Sequence, residues 1–245
     1  MLYVTKETHV LVVEDDPSVR DVVRRYLERD GHRVTLANDG EGALRAADDT
    51  VDLVVLDVML PGMDGLQVCQ RLRDGASGRP DVPVIMLTAL GEEDDRIAGL
   101  SLGADDYVTK PFSPRELSLR VTSVLRRSAN GTERNGQPAL RDGDLVVDVP
   151  SRRVTLRGEE LPLTLREFDL LTFLLGHPGQ AFTRSDLLGR VWGWSFGDHS
   201  TVTVHVKRLR HKIEDDPSAP RRISTVYGLG YRYDKRGDDA EATHE

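Results

Sequence analysis

Four short apolar runs in the first half of the chain each end in residues that can bind a metal ion or a phosphate. The residues that follow these runs are Glu14-Asp15-Asp16, Asp57, Thr88 and Lys110-Pro111. Uninterrupted apolar runs of this length, rich in β-branched residues, predict buried strands of a parallel sheet. Ligands bind beyond the carboxyl ends of the strands in such sheets. The pattern therefore predicts that acids, a hydroxyl and an amine meet at one sheet edge.

Helical patterns alternate with these strands between residues 9 and 127. Apolar residues recur at helical spacing after Pro17 and after Gly65. The segment Ser113-Pro114-Arg115-Glu116 has the form of a capping box with proline in the first turn. Strand–helix units that repeat in this way predict a doubly wound α/β domain, in which helices cover both faces of a parallel sheet.

The second half has a different pattern, in which short strands precede three helices and a hairpin. Apolar segments between residues 145 and 163 predict short antiparallel strands. Helices are predicted to begin at the capping box 164–167 and to cover 183–191 and 200–213. Residues 223–233 predict a terminal hairpin. This order of elements indicates an α+β domain.

Length and local composition divide the chain into two domains. The 245 residues are enough for two domains of ordinary size. We predict the first over 8–127 and the second over 139–234, joined by a flexible linker over 128–138 that contains two Gly, two Asn and a Pro. The polar tail, 235–245, is predicted to be disordered. The first domain is acidic and the second slightly basic, which indicates that they bind different partners.

Composition also bears on cellular location. No stretch approaches the roughly 20 apolar residues of a membrane helix. The N-terminus lacks the apolar core of a signal peptide. Cys69 is the single cysteine, which excludes an internal disulfide and indicates a reducing compartment. We therefore expect a cytoplasmic protein that does not bind a membrane.

Residues 9–127 resemble the receiver domain of bacterial two-component response regulators. The resemblance rests on motifs that occur in the family's order and at predicted strand ends. These motifs are Glu14-Asp15, Asp57, Met59-Leu60-Pro61-Gly62-Met63-Asp64-Gly65, Thr88-Ala89 and Lys110-Pro111-Phe112. The resemblance implies a five-stranded parallel sheet of the CheY-like, flavodoxin-like type, and it implies that Asp57 accepts a phosphoryl group.

The resemblance also assigns the groups around Asp57. The ligands of a Mg²⁺ ion are implied to be Glu14, Asp15, Asp57 and the backbone carbonyl of Met59. Oxygen ligands of this kind suit Mg²⁺. Lys110 and Thr88 would each bind a phosphoryl oxygen, and the Lys110-Pro111 bond would be cis. Each of these residues, considered alone, also has an ordinary structural role. An acid after a strand can cap a helix, Thr88 can be a strand-end hydroxyl, and Lys110 can be a surface lysine.

In the family, the signal passes from the hydroxyl to an aromatic residue on the next strand, and these positions are Thr88 and Tyr107. The charged residues of the family's dimer face are Arg96, Asp105, Asp106, Glu116, Arg120 and Arg127. A two-fold contact could pair Arg96 with Glu116 and Asp106 with Arg120 across chains. The alternative is a solvated charged face that binds nothing.

Residues 139–233 resemble the winged helix-turn-helix DNA-binding domain of the OmpR/PhoB subfamily. The matching segments are Leu163 to Leu171, Val191-Trp192-Gly193, Thr201 to Arg210 and Gly228-Leu229-Gly230-Tyr231-Arg232. The helix predicted over 200–213 would have one apolar and one basic face, which suits a helix that lies in the major groove. The apolar face is expected to consist of Val202, Val206, Leu209 and Ile213.

The residues expected to contact DNA are Thr201, Val204, His205, Lys207, Arg208, Arg210, Thr225 and Arg232. Arg208 is expected to bind a guanine, and Thr201 and Val204 to touch thymine methyl groups. The other three residues of the helix are expected to bind phosphates. The alternative is that the basic helix is merely solvated, or that it binds a protein.

Two positions depart from the family pattern. An Arg commonly precedes the first threonine of this helix, where the chain has Ser200. The wing commonly carries an Arg at the position of Tyr227, so an arginine that would enter the minor groove is missing. The wing contact is then expected to fall to Arg232 or Thr225.

Together the two resemblances predict a transcription regulator that is controlled by phosphorylation. Its expected partners are a sensor histidine kinase, double-stranded promoter DNA, a second copy of the chain and RNA polymerase. It is not expected to be an enzyme, except for its own phosphorylation and dephosphorylation. One alternative is an aspartyl-phosphate phosphohydrolase, although Met59 stands where such enzymes carry an acid/base Asp. Another is a regulator that acts without phosphate.

Overall fold

The computed structural model describes residues 7–76, 78–89, 102–129, 139–194 and 199–236, with the side chains of 126–129 excepted. The chain divides into two compact units, Met1–Arg126 and Arg127–Glu245. No helix in the described ranges is long and apolar enough to cross a membrane.

The first unit contains a five-stranded parallel sheet in the order β2-β1-β3-β4-β5. The strands are β1 (His9–Val13), β2 (Arg33–Ala37), β3 (Leu53–Asp57), β4 (Val84–Ala89) and β5 (Asp106–Lys110). The described helices are α1 (Pro17–Arg29), α2 (Gly40–Ala46), α3 (Gly65–Arg73) and α4 (Pro114–Ala129). Every residue of β1 and β3 is buried, as the apolar runs predict for central strands covered on both faces. The parallel sheet and its α/β class are thus confirmed.

Polar side chains fix the starts of three helices in this unit. Asp16 accepts hydrogen bonds from the backbone N–H groups of Ser18 and Val19 and so caps α1. Asp39 caps α2 and Asp64 caps α3 in the same way. Each cap satisfies N–H groups that have no partner within the helix. The caps therefore hold the loops that follow β1, β2 and β3 at one sheet edge.

The start of α3 lies very close to the end of β3. A Cβ atom on Gly65 would stand 2.1 Å from the carbonyl oxygen of Asp57, far inside van der Waals contact. The backbone N–H of Gly65 donates a hydrogen bond of 2.9 Å to the carbonyl of Val58. Only glycine allows this approach, so this residue helps to fix the backbone that carries Asp57.

The second unit begins with a four-stranded antiparallel sheet of β6 (Leu140–Asp142), β7 (Leu145–Asp148), β8 (Arg153–Leu156) and β9 (Glu159–Glu160). Its helices are α5 (Leu165–Leu175), α6 (Arg184–Leu187), which continues into a π-helical turn (Leu188–Trp192), and α7 (Ser200–Ile213). A second sheet has the order β10-β12-β11, formed by Ala181–Thr183, Gly230–Tyr233 and Ile223–Val226. The hairpin of β11 and β12 is the wing, and the winged-helix fold is confirmed.

A buried polar network joins the wing to the first sheet of this unit. Arg222 is fully buried, and its Nε lies 3.3 Å from Oδ2 of Asp142. The hydroxyl of Tyr233 donates to the same carboxylate oxygen at 2.9 Å. At the end of α7, Glu214 accepts hydrogen bonds from the backbone N–H groups of Arg222 and Ile223. These contacts give the wing a fixed position relative to α7.

Candidate functional site

Three carboxylates meet at the carboxyl edge of the parallel sheet. Glu14 and Asp15 follow β1, Asp57 ends β3, and their nearest ligand oxygens lie within 4.8 Å of one another. Glu14 and Asp57 are buried, whereas Asp15 is exposed. Parallel pairing aligns Val13 with Leu56, which brings the ends of the two strands side by side. The sheet therefore creates the cluster from residues more than 40 positions apart in sequence.

Lys110 connects two of these acids. Its Nζ lies 2.8 Å from Oδ2 of Asp57 and 2.8 Å from Oε2 of Glu14. Burial alone would lower the pKa of Lys110, but its hydrogen bonds to Asp57 and Glu14 raise it. The ammonium group therefore stays charged at neutral pH. The Lys110-Pro111 peptide bond is cis, as the family resemblance implies.

The acids carry more negative charge than Lys110 can balance. Burial raises the pKa of Glu14, and the nearby Asp57 raises it further, while Lys110 opposes both effects. One ammonium beside three carboxylates leaves an excess that a divalent cation would neutralise, and the donors are the oxygens that Mg²⁺ prefers. The residues present therefore fit such an ion. Met59 lies two residues after Asp57 in the chain. Its side chain is exposed, and its backbone nitrogen lies 3.4 Å from Oδ1 of Asp57.

Thr88 lies near the end of β4, in register with Thr109 of β5, and is fully buried. Within the described part of the chain, its hydroxyl has no hydrogen-bond partner. A buried hydroxyl without a partner costs about 1–3 kcal/mol and calls for an explanation. The hydroxyl could donate a hydrogen bond to a ligand oxygen at this sheet edge. Tyr107 is buried on β5, in register with Met86 of β4.

The charged residues expected at a dimer face are largely engaged within the chain. Asp105 is fully buried; it accepts a hydrogen bond from the N–H of Val84 at 3.0 Å and lies 3.2 Å from Arg73. Its expected place on an exposed face is therefore wrong, because this carboxylate binds interior donors. Arg120 pairs with Asp106 at 3.0 Å and with Glu116 at 2.8 Å, both in its own chain. Arg96 and the side chain of Arg127 lie outside the described residues.

Helix α7 is buried on more sides than its apolar pattern indicates. The four residues of the predicted apolar face are all buried, as expected. Thr201, Val204 and His205 are buried as well, so their predicted exposure on a DNA-binding face is wrong. The reason is that α7 packs against both α5 and α6, rather than against one neighbour.

His205 shows most clearly why that prediction fails. Its ring packs edge-on against Trp192 with centroids 5.0 Å apart. Its Nδ1 lies 2.8 Å from the carbonyl oxygen of Thr201, close enough to donate a hydrogen bond to it. Burial, reinforced by the neighbouring charge of Arg208, lowers the pKa of His205 to about 3. The side chain is thus a neutral part of the core and not a phosphate ligand.

A buried acid holds two of the cations of α7. Glu167, on α5, lies 2.7 Å from Arg208 and 2.8 Å from Lys212. Burial alone would raise the pKa of Glu167, but these two cations lower it. Arg208, the residue expected to bind a guanine, has a side chain that is 11% exposed. Contact with a base would require Arg208 to share its guanidinium between Glu167 and the DNA.

Three other expected DNA contacts are engaged in the wing. Arg210 donates to the carbonyl of Ile223 at 2.9 and 2.6 Å and to the hydroxyl of Thr225 at 2.8 Å. Arg232 pairs with Asp234 at 2.6 Å. Lys207 differs from them because its side chain is exposed on the outer face of α7.

Sequence reasoning missed a cationic group beside that outer face. Arg184, the first residue of α6, donates to the hydroxyl of Thr203 at 3.2 Å, and its guanidinium lies 5.0 Å from the centre of the Tyr231 ring. Thr203 is exposed and stands four positions before Lys207, one helical turn away. That spacing could have identified the outer face, but the position of Arg184 depends on how α6 packs.

Two family models match the chain. The model described as the response regulator receiver domain matches residues 10–122, and the model described as the C-terminal domain of transcriptional regulatory proteins matches residues 158–233. Between them they cover most of both units.

Relatives match the chain over almost its whole length. The sensory transduction protein RegX3 of Mycobacterium tuberculosis is 46% identical over 227 residues, which is 92% of this chain and 98% of that protein. The transcriptional regulatory protein ResD of Bacillus subtilis is 41% identical over 237 residues, 94% of this chain and 97% of its own. The response regulator DrrB, an OmpR/PhoB homologue from Thermotoga maritima, has a crystal structure that matches this one with a TM-score of 0.50. The two sequences are 36% identical, and the match covers 93% of this chain and 99% of DrrB.

Proposed function

Since the chain belongs to the OmpR/PhoB family of response regulators, we propose that Asp57 accepts a phosphoryl group from a sensor histidine kinase, and that this group alters DNA binding by the second unit. The chain is a phosphorylation-controlled transcription regulator, with a receiver domain and a DNA-binding domain. A cytoplasmic location is part of the proposal, because both the kinase domain and the DNA are found there.

The observation that carries the proposal is the environment of Asp57. Its carboxylate is buried at the sheet edge, with Lys110 on one oxygen and two further acids within reach of the same cation. A carboxylate oxygen of Asp57 would attack phosphorus while the bond from phosphorus to the donor's nitrogen or oxygen breaks. This transfer needs the equatorial phosphoryl oxygens to be neutralised. A Mg²⁺ ion bound by the three acids and the Met59 carbonyl would supply part of that charge.

The other groups at the edge have complementary tasks in this proposal. Lys110 would move its hydrogen bonds from Asp57 and Glu14 to a phosphoryl oxygen. Thr88 would donate its unpaired hydroxyl to another oxygen, which would draw the end of β4 toward Asp57. Tyr107 would repack on the neighbouring strand in response. A packed interior converts such a local change into one of two discrete arrangements.

Output would depend on the second unit and on self-association. The exposed residues Lys207 and Thr203, with the half-buried Arg184 beside them, form the polar surface proposed to bind DNA phosphates, while Arg208 is proposed to reach a base from its ion pair with Glu167. Phosphorylation is proposed to promote a homodimer through the receiver, so that two second units bind adjacent half-sites. RNA polymerase is a further proposed partner.

Phosphorylation of Asp57 can be tested directly. Wild-type protein and an Asp57→Asn variant are incubated with phosphoramidate and Mg²⁺, and phosphorylation is measured by intact mass spectrometry. We expect labelling of the wild type only. Asp39→Asn is the matched control, because Asn also caps a helix and Asp39 lies outside the acidic cluster. Equal labelling of the Asp57 variant would refute its role.

DNA binding is tested by footprinting on genomic promoter fragments, with and without the phosphoryl donor. We expect specific protection that becomes stronger after phosphorylation. Lys207→Ala should weaken binding similarly on specific and random duplexes and should reduce the slope of log K against log salt by about 0.9. An unchanged slope would show that Lys207 does not bind a phosphate.

A further inference from the structure

Arg20, the fourth residue of α1, binds the loop that carries two of the clustered acids. One nitrogen of its guanidinium, Nη1, donates hydrogen bonds to the backbone carbonyls of Glu14 at 2.7 Å and Asp15 at 3.2 Å. Its backbone N–H donates to the carbonyl of Asp16 at 3.0 Å. These three carbonyls belong to consecutive residues, which form the whole connection between β1 and α1. One residue of the helix therefore holds the entire loop.

The position of Arg20 follows from where α1 begins. Asp16 caps the helix and Pro17 is its first residue, so the bond from the Arg20 N–H to Asp16 is the first of the helical ladder. Side chains on a helix lean toward its N-terminus. The half-buried guanidinium of Arg20 is thus directed back over the loop that precedes the helix.

The two acids of the loop are held unequally by their other contacts. Glu14 is buried, with Oε1 3.4 Å from the backbone nitrogen of Asp16 and Oε2 2.8 Å from Nζ of Lys110. Asp15 is exposed, so packing does not fix its direction. The hydrogen bond from Arg20 restrains the Asp15 backbone from a helix whose own start is capped. The placement of the Asp15 carboxylate therefore depends on Arg20.

We propose that Arg20 is a positioning residue for the Mg²⁺ site, which holds the loop so that the carboxylates of Glu14 and Asp15 face the ion. This inference rests on the function proposed above. Mg²⁺ demands nearly ideal octahedral geometry, so the direction of each ligand matters. Ordering the backbone of one residue corresponds to roughly a 5- to 30-fold change in an equilibrium constant. Arg20 should therefore contribute about tenfold to Mg²⁺ affinity, as is typical of groups that orient metal ligands.

A purely electrostatic role of Arg20 would have the opposite effect on the ion. A fixed positive charge repels Mg²⁺, so removing that charge alone would strengthen Mg²⁺ binding. Removing the hydrogen bonds that order the loop would weaken it. The direction in which Mg²⁺ affinity changes therefore separates positioning from repulsion.

The test measures Mg²⁺ binding to the full chain from amide NMR spectra recorded during titration with magnesium chloride. Arg20→Met keeps an unbranched side chain of similar helix propensity but removes the side-chain donors. It should raise the Kd for Mg²⁺ about tenfold, and Arg20→Gln is a second variant with the same direction of change. Arg20→Lys restores a donor and should stay within about threefold of the wild type. Arg24→Met is the matched control, because Arg24 lies on the same helix but pairs with Asp21 and Glu28; it should bind Mg²⁺ as the wild type does.

The rate of phosphorylation provides a readout that a general loss of stability would not reproduce. Labelling by phosphoramidate is followed by intact mass spectrometry over a range of Mg²⁺ concentrations. Arg20→Met should need about tenfold more Mg²⁺ for its half-maximal rate. Its maximal rate should stay within about twofold of the wild type, because Arg20 is proposed to act on the loop and not on the donor. A partly unfolded variant would instead lose maximal rate.

The outcomes separate this inference from the proposed function. If the wild type neither binds Mg²⁺ at the loop nor is labelled on Asp57, the proposed function itself fails. If the wild type does both and Arg20→Met matches it, only the role of Arg20 is refuted. Tighter Mg²⁺ binding by Arg20→Met, or a lower maximal rate at an unchanged Mg²⁺ requirement, would also overturn that role. Equal weakening by Arg20→Lys and Arg20→Met would overturn the hydrogen-bond explanation, because a single nitrogen makes both side-chain bonds in the wild type. The same amide spectra show whether each variant is folded.

Discussion

The burial of His205 predicts that the second unit loses stability in mild acid. In the folded chain, burial and the nearby Arg208 lower the pKa of this imidazole to about 3. In the unfolded chain its pKa returns to about 6.5. The unfolded state therefore binds a proton between these values that the folded state does not, so the free energy of unfolding falls as the pH drops below about 6.5.

The magnitude follows from the two pKa values. Between pH 7 and pH 5, protonation of the unfolded histidine alone lowers the free energy of unfolding by about 2 kcal/mol. The neighbouring Glu167 does not offset this effect, because Arg208 and Lys212 keep its pKa low and its charge constant over this range. Domains of this size have a total stability of about 5–15 kcal/mol, so the loss is easily measured.

The assay is urea unfolding followed by tryptophan fluorescence. Both tryptophans of the chain, Trp192 and Trp194, lie buried in the second unit, so the signal reports this unit within the intact protein. The perturbation is His205→Phe, which keeps an aromatic ring against Trp192 and removes the titrating group. Between pH 7 and pH 5, the free energy of unfolding of the wild type should fall by about 2 kcal/mol more than that of this variant.

The control is His211→Gln, which also removes one histidine, from an exposed position on the same helix. It should keep the pH dependence of the wild type. Equal pH dependence in the wild type and in His205→Phe would show that the folded state does not hold His205 neutral, and the burial argument would be refuted.

Three further predictions concern the two sites. Gly65→Ala should destabilise the receiver by about 1–3 kcal/mol, because the added Cβ would displace the carbonyl of Asp57. The variant should also be phosphorylated more slowly. Thermal unfolding followed by circular dichroism measures the stability, and a variant as stable as the wild type would contradict the close approach. Glu167→Gln should lower the free energy of unfolding by about 2–3 kcal/mol, since it leaves Arg208 and Lys212 without their acid. The measurement is the tryptophan assay described above. A decrease smaller than the experimental error would show that solvent already screens the two cations. Asp15→Asn should weaken Mg²⁺ binding about tenfold in calorimetry, whereas Asp16→Asn should leave it unchanged because Asp16 caps α1.

The acidic site is the part of the molecule that sequence predicts best. Buried parallel strands have a fixed direction, and their carboxyl ends share one edge, so residues that follow the apolar runs must lie close together. The convergence of Glu14, Asp57 and Lys110 follows from this rule alone. The close approach of Gly65 does not, because it depends on the angle at which α3 leaves the loop.

The buried and exposed faces of α7 are predicted less well, and the reason is geometric. A helical pattern identifies the most apolar face, but it does not give the number of neighbouring elements. Since α7 contacts both α5 and α6, a second side of the helix is also covered. Small or neutral residues such as Thr201, Val204 and His205 tolerate that burial without an apolar signal in the sequence.

The basic residues of α7 lie on one helix, yet they have different partners, because each cation goes to the nearest acceptor. Arg208 and Lys212 form ion pairs with Glu167, whereas Arg210 donates hydrogen bonds to the wing. Lys207, on the exposed face between them, has its ammonium in solvent. The first two cations stabilise the packing of α7 on α5, and the third sets the position of the wing. The number of basic residues on α7 therefore overstates the number of cations on this helix that are available for ionic contact with a partner.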